Sequence, residues 1–204
     1  MVKKRFKTVV RHDQIAAAAL DIVRAEGIRG LNVAAVAEKV GLVPSAVYRH
    51  FKNKSDIVGA VLGLIQTRLN RHYQDVIQKD LEPVEKLNLL LNRHVELIGG
   101  NNAIPRIIFS EEVIGGMPEK QQQLYGIIRD VIRNVAVIVR EGQNKGTIRK
   151  DLPAENIAVS FLGMIQPAAI IWNLSDGEFD LTRHSKNAWK LFWAAIRPEA
   201  EQFD

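Results

Sequence analysis

Apolar residues recur at helical spacing along almost the whole chain, and the period-two alternation of a half-buried strand is rare. In segment 13–26, one stripe consists of Ile15, Ala18, Ala19, Ile22 and Val23. A strand could not present such a stripe on one side, because its successive residues face opposite sides. The 204-residue chain contains no cysteine, so its core must be held by packing alone. The sequence therefore predicts an all-α protein.

Start and stop signals divide the chain into helices. Asn32 and Asn53 are suited to cap helix N termini, and Gly27 and Gly41 are suited to end helices. A short helix begins at Pro44 or Ser45. The longer helices beyond residue 80 are predicted at 83–99, 103–114, 121–143, 154–173 and 182–196.

One of these helices is apolar on nearly all sides, and the last one carries an apolar stripe. The helix at 154–173 is apolar on nearly all sides, so we expect it to be buried within the subunit or against a partner, with a bend at Pro167. No window approaches 18 uncharged apolar residues, so no membrane span is expected. The last helix carries an apolar stripe of Ala188, Leu191, Phe192, Ala195 and Ile196, which Trp189 and Trp193 widen.

Positive charge is concentrated in the first third of the chain. Residues 1–60 contain eleven Lys and Arg against five Asp and Glu, whereas the remainder contains 17 cations and 18 anions. A basic segment on a near-neutral body indicates a polyanion partner for that segment, although a solvated basic end has the same composition. The cations Lys3, Lys4, Arg5 and Lys7 are expected to form a mobile arm that orders on DNA.

The stretch GLVPSAVYRHFKNK, residues 41–54, interleaves aromatic and cationic residues after an amphipathic helix. Two short helices joined by a tight turn form a helix-turn-helix signature. Gly41 suits the turn, and Phe51 is expected in the core. The small side chains that would face bases at the start of the second helix are Val43, Pro44, Ser45 and Ala46.

Residues 27–58, GIRGLNVAAVAEKVGLVPSAVYRHFKNKSDIV, resemble the N-terminal DNA-binding domain of the TetR family of transcriptional regulators. The resemblance implies a three-helix helix-turn-helix domain at 1–60 and a helical ligand-binding and dimerisation domain at 61–204. It also implies phosphate contacts from Asn32, Val33, Tyr48, His50, Lys52 and Lys54. For Lys52 a solvated cation is an equal alternative, and Tyr48 could instead lie in the core.

Two positions depart from the family pattern. Val33 and Val43 stand where the family often has Ser or Thr. At Val33 only the backbone amide is then available to contact a phosphate. Val43 loses a polar contact, but its side chain can contact a thymine methyl. Direct base readout is therefore expected to be sparse, with specificity drawn from DNA shape or from the basic arm.

In the larger domain, the resemblance implies a pocket for an apolar or aromatic effector. The candidate lining residues are Leu91, His94, Ile98, Ile107, Phe109, Tyr125, Ile128, Phe161, Met164, Ile165 and Trp172. Most of these residues would serve equally well as ordinary core, and His94 fits a satisfied core histidine. Arg106, Glu111 and Glu112 form either a polar gate or a solvated face.

The resulting hypothesis is a cytoplasmic, homodimeric regulator of double-stranded DNA, with a ligand-released repressor as the form typical of the family. The alternative is an architectural or partner-binding DNA-associated protein without an effector. An enzyme is disfavoured, because the sequence contains no phosphate loop, no nucleophile motif and no paired catalytic carboxylates. No metal or cofactor is expected.

Overall fold

The computed structural model describes residues 2–198, with side chains from residue 12 onward. Within that range every regular element is helical, which confirms the all-α prediction. The side chains of the predicted basic arm, Lys3 to Lys7, lie outside those described, so the arm stays a prediction. The helices before residue 80 are α1 (Val2–Gly30), α2 (Val33–Lys39), α3 (Pro44–Tyr48) and α4 (Lys54–Ile77).

The later helices follow the predicted order with shifted ends. They are α5 (Pro83–Gly99), α6 (Ala103–Ile108), a π-helical turn (Glu112–Gly116), α7 (Pro118–Lys145), α8 (Ala154–Gly163), α9 (Gln166–Leu174) and α10 (Leu181–Ile196). Helix α7 begins three residues earlier than predicted, since Pro118 fits a first helical turn.

The single helix predicted at 103–114 is wrong. The Ser110 hydroxyl donates to the Ile107 carbonyl at 2.7 Å, which ends α6 by a side-chain bond that competes with the helical ladder. The amides of Val113 and Ile114 then both donate to the Ser110 carbonyl. The chain continues as a π-helical turn whose last two residues are Gly115 and Gly116.

The bend expected near Pro167 is present as a complete break. Helix α8 ends at Gly163, and α9 starts at Gln166 with the proline in its first turn, where the absent amide costs no helical bond. The combined segment Ala154–Leu174 contains an 18-residue window with a mean hydropathy of 1.6, enough to cross a membrane by length and composition. The expectation that no window is so apolar is therefore wrong, although a core helix of a soluble protein meets the same criterion.

Within the described residues the chain forms two compact units, one made of residues 2–68 and 101–127 and the other of residues 69–100 and 128–198. In the first unit, α1 packs on α2 and α6, and α2 packs on α3. Its fully buried side chains include Leu20, Leu31, Ile57, Leu62 and Ile107. This packing fixes the short helices α2 and α3 on a continuous core.

In the second unit, α10 packs on α5, α8 and α9. Its core contains Leu87, Leu91, Val135, Val139 and Phe161. On α10, Phe192 and Ile196 of the predicted stripe are buried beside Leu181 and Ser185, whereas Leu191 is 76% exposed. The buried stripe is thus rotated away from Leu191, which leaves that side chain on the open face.

Candidate nucleic-acid interface

The turn between α2 and α3 has the geometry that the sequence predicts. Gly41 has a φ of +66°, in the left-handed region that glycine enters without steric cost. Its amide donates to the Glu38 carbonyl at 3.0 Å, and the Leu42 amide donates to the Ala37 carbonyl at 2.9 Å. These bonds satisfy the end of α2 and direct the chain into α3.

Helix α3 has a buried side and an exposed side. Val47 is fully buried and Phe51 is 2% exposed, which confirms Phe51 as core. Val43 is 65% exposed, and Pro44 and Ser45 are also exposed. The four base-facing candidates, which include the half-buried Ala46, thus form an accessible and largely apolar start to the helix.

Polar and cationic side chains continue this exposed side. Tyr48 is 50% exposed, and His50 and Lys52 are also exposed. The sequence reasoning assigned no role to Arg49, which is exposed between Tyr48 and His50. Arg49 occupies the variable position of the family's Tyr-x-His-Phe pattern, so the pattern itself does not mark it. The one signal for a role is its position at the exposed end of the helix.

A second missed residue is His12, near the start of the described side chains. Its ring centroid lies 6.0 Å from that of His50 and 4.8 Å from that of Phe51. The contact joins α1 to the end of α3 across 38 residues of sequence, and no local pattern could have indicated it. His12 is exposed and adds a second imidazole to the surface around His50.

Asn32 and Val33 lie at the start of α2. The Asn32 side chain accepts from the Ala35 amide at 2.9 Å, so its predicted role as an N-cap is confirmed. Its amide group also donates to the Gly30 carbonyl at 3.2 Å. Val33 is 4% exposed, which leaves its backbone as the only part suited to a phosphate contact.

The start of α4 is held by reciprocal bonds. The Asp56 amide donates to the Asn53 side chain at 2.9 Å, and the Lys52 amide donates to the Asp56 carboxylate at 2.7 Å. Lys54, at the first position of α4, pairs with Glu112 of the π-helical turn, with 2.5 Å between Nζ and Oε1. The sequence predicts a phosphate contact for Lys54 and either a polar gate or a solvated face for Glu112, but it does not predict that the two side chains pair.

The candidate effector residues divide between the two units. Ile107, Phe109 and Tyr125 belong to the first unit, and the others belong to the second. Leu91, Phe161 and Ile165 are buried among the core of their unit. Tyr125 is 64% exposed, so the structure places it on the surface of its unit rather than in an interior wall.

His94 is the most polar of the candidates and is 7% exposed. Its Nδ1 lies 2.9 Å from the Leu90 carbonyl, which can only accept, so Nδ1 carries the proton and Nε2 is the acceptor. No protein group among the described residues hydrogen-bonds Nε2. Burial lowers the pKa of His94, which keeps the imidazole neutral.

Open clefts lie within the second unit, and two of them are large enough to consider for an effector. One, of about 550 Å³, is lined in part by Trp172, Val95, Gly99 and Phe179. The other, of about 750 Å³, lies between α5 and α10 and is lined mostly by polar or charged residues, including Asn88 and Lys186. Of the candidate effector residues, Trp172 lines the first cleft and none lines the second.

Among the described residues, no group of three or more His, Asp or Glu side chains is placed to hold a metal ion. The chemistry offered by the exposed part of the first unit is instead hydrogen-bond donation and positive charge beside a short apolar helix start. Such a surface suits a duplex, whose phosphates take the donors while the apolar start enters a groove.

Comparison with known proteins agrees with this geometry. The family model for bacterial regulatory proteins of the tetR family matches residues 15–61. A second model, for the C-terminal region of YsiA-like proteins of the TetR family, matches residues 63–195. Together the two models span most of the chain and meet within α4, at residues 61–63.

Individual relatives are distant but match over nearly full length. The chain is 23% identical to the fatty acid metabolism regulator protein of Bacillus subtilis, over 91% of this chain and 95% of that protein. It is 22% identical to the nucleoid occlusion factor SlmA of Vibrio vulnificus, over 92% and 95%. The structure of the transcriptional regulator FadR from Bacillus subtilis in complex with stearoyl-CoA superposes with a TM-score of 0.77 at 24% identity, covering 90% of this chain and 98% of that one.

Proposed function

Because the chain belongs to the TetR family of bacterial regulatory proteins, we propose that it is a homodimeric repressor that a long-chain acyl-CoA releases from DNA. As a member of the family it is a DNA-binding transcriptional regulator. The proposal adds the direction of regulation, the oligomeric state, the effector and a cytoplasmic location beside the genome. It requires no catalytic step.

The observation that carries DNA binding is the two-sided helix α3. Its buried side is anchored by Val47 and Phe51, while Tyr48 and His50 stand exposed beside the accessible start at Val43. We assign Val43, Pro44, Ser45 and Ala46 to the groove, and Asn32, Val33, Tyr48, His50, Lys52 and Lys54 to phosphates. We add His12 and Arg49 to the residues that contact phosphates, because both are exposed next to His50.

The same arrangement supports a boundary between two functional domains at residues 60 and 61. Residues 1–60 would hold the DNA-reading helices, and residues 61–204 would hold the effector and the partner subunit. The two family models, which end and begin at residues 61 and 63, support this boundary.

The effector is proposed from likeness and from the chemistry of the second unit. The FadR structure of Bacillus subtilis contains stearoyl-CoA, and the similar protein of the same organism is named as a regulator of fatty acid metabolism. In this chain, Ile98, Ile128 and Met164 are partly buried apolar side chains beside the core of the second unit. The acceptor Nε2 of His94 would take a hydrogen bond from a donor such as a pantetheine amide.

The test is a titration of the purified chain against the DNA upstream of its own gene, read by fluorescence anisotropy. Stearoyl-CoA is expected to release the DNA at micromolar concentration, whereas free CoA and a detergent with an equally long chain are not. Release by detergent as well would indicate micelle effects, and retention of DNA at saturating acyl-CoA would contradict the effector. Thermal stabilisation by stearoyl-CoA, measured without DNA, separates binding from release.

A second candidate is a DNA-associated factor that acts without a small effector. The likeness to the nucleoid occlusion factor SlmA supports it. It predicts that the chain binds many duplexes, and that acyl-CoA changes neither DNA affinity nor thermal stability. The titration above therefore separates the two candidates.

A further inference from the structure

Lys54 and Glu112 form an ion pair inside the first unit. Lys54 opens α4, directly after the DNA-reading segment, and Glu112 opens the π-helical turn 58 residues later. Nζ and Oε1 are 2.5 Å apart, and the two side chains are 29% and 31% exposed. Burial alone would raise the pKa of Glu112, but hydrogen bonds from Lys54 and from its own backbone outweigh burial and lower it. Glu112 is therefore a carboxylate at neutral pH.

Further contacts hold the same side of α4 to this region. The Ser55 hydroxyl lies 3.9 Å from the Met117 sulfur, and the Gln123 side chain donates to the Gly59 carbonyl at 2.9 Å. The Lys120 amine occupies the space beside Gly59, where an added Cβ would meet it at 2.6 Å. The start of α4 is thus positioned against the π-helical turn and the start of α7 at several successive places.

The position of Glu112 is itself fixed. The Gln121 side chain donates to the Ile114 carbonyl at 2.6 Å, across the π-helical turn. A Cβ at Gly116 would lie 3.1 Å from the Glu111 carbonyl, so the turn is closed tightly on its own backbone. Glu112 is consequently presented to Lys54 by a defined turn rather than by a loose loop.

An ammonium that faces a carboxylate at this distance is a weakened phosphate ligand. Its charge is compensated, and a phosphate that approaches Lys54 also approaches the negative charge of Glu112. DNA must therefore either displace the carboxylate or bind beside it at lower affinity.

We propose that Glu112 competes with a DNA phosphate for Lys54 and so lowers the DNA affinity of the helix-turn-helix segment. The inference rests on the proposed function through the phosphate role of Lys54. It gives the π-helical turn a task in regulation, because any change that moves Glu112 away from Lys54 strengthens DNA binding and any change that fixes it there weakens binding.

The test compares Glu112→Gln, Lys54→Gln and the double variant for binding to a random 30-base-pair duplex and to the upstream DNA. Glu112→Gln preserves shape and removes the charge, so affinity is expected to rise about two- to five-fold at low salt, the range of exposed ion pairs. The gain should fade as salt screens the charges. Lys54→Gln should weaken both duplexes, and adding Glu112→Gln to it should yield little.

Glu111→Gln is the matched control, since it changes the net charge equally at the neighbouring residue. Its gain is expected to be smaller and to persist when Lys54 is replaced. Thermal unfolding of each variant verifies that it is folded.

Three outcomes decide the matter. If Glu112→Gln and Glu111→Gln raise affinity equally, with or without Lys54, net charge alone acts and the competition is refuted. If Glu112→Gln weakens DNA binding, Glu112 orients Lys54 rather than competing with phosphate, which also overturns it. If Lys54→Gln leaves affinity and its salt dependence unchanged, the phosphate role of Lys54 in the proposed function fails, and the inference fails with it.

Discussion

His94 is a neutral imidazole inside the second unit, with Nδ1 bonded to the Leu90 carbonyl and its ring in a T-shaped contact with Phe161, 6.4 Å between centroids. Burial lowers its pKa, and His72, which lies close enough to lower it further, has a pKa that is itself lowered by burial and by Arg93. Both rings therefore resist protonation in the folded state. The consequence is a stability that depends on pH.

We expect the free energy of unfolding to fall as the pH drops below about 6.5, the pKa of an unfolded histidine. There the unfolded chain binds the proton and the folded chain does not, so acid favours unfolding. His94→Leu should flatten the curve between pH 7 and pH 5 by up to about 1.4 kcal/mol per pH unit. Urea titrations at several pH values measure this slope, which is informative even if the substitution also changes packing. Parallel curves for the two proteins would show that His94 is not kept neutral.

For single residues, the sequence predicts local conformation and burial better than it predicts long-range side-chain contacts. The cap at Asn32, the core position of Phe51 and the left-handed Gly41 follow from local rules. The pairing of Lys54 with Glu112 and the approach of His12 to His50 do not, because tertiary packing brings each pair together across long stretches of chain.

At the scale of elements, the turn between α2 and α3 depends on a single glycine. Gly41 and Gly63 both have open space where a Cβ would go, but Gly41 has a φ of +66° and Gly63 lies within α4. Gly41→Ala should therefore destabilise the protein by about 1–2 kcal/mol for conformational reasons alone. Gly63→Ala, with the same added methyl, should stabilise it by about 0.5–1 kcal/mol.

Urea unfolding of both variants measures the difference, with equal m-values as the sign of an unchanged denatured state. Opposite shifts in midpoint are expected. Equal shifts would mean that the backbone conformation at Gly41 is not what makes this turn specific.

Element ends were predictable where a cap or a proline decides them, as at Pro83. They were not predictable where two weak signals compete. The π-helical turn follows the bond from the Ser110 hydroxyl to the Ile107 carbonyl and ends in the Gly115–Gly116 pair, two features that no single local rule combines. The break before α9 lies ahead of Pro167, because the proline takes a first-turn position instead of bending a continuous helix.

At the scale of the whole molecule, exposed apolar side chains collect on three helices that pack together. Leu174 of α9 is 79% exposed and Leu191 of α10 is 76% exposed. Ile170 and Ile171 share a helix face with Leu174 by their spacing, and Val159 of α8 is 54% exposed. The sequence predicted that the apolar segment at 154–173 needs a covering but could not say which side the chain itself covers.

A second copy of the chain is the occupant that the proposed function requires, since a dimer places one recognition helix in each half-site. Leu191→Glu should weaken the dimer by on the order of 3 kcal/mol, about 100-fold in Kd, because a charge would be buried without a partner. Sedimentation velocity should then show the 22.9 kDa chain in place of twice that mass. Affinity for the upstream DNA should fall in parallel, since a single head loses the contribution of the second.

Ile114→Glu is the matched control, because Ile114 is 53% exposed and belongs to the other unit. It is expected to leave the dimer intact, which separates the effect of position from that of adding a carboxylate. A wild-type chain that sediments as a monomer at micromolar concentration would contradict the dimer, and an equal loss in both variants would point to general destabilisation. Retention of helical circular dichroism in Leu191→Glu identifies the lost species as the dimer rather than the fold.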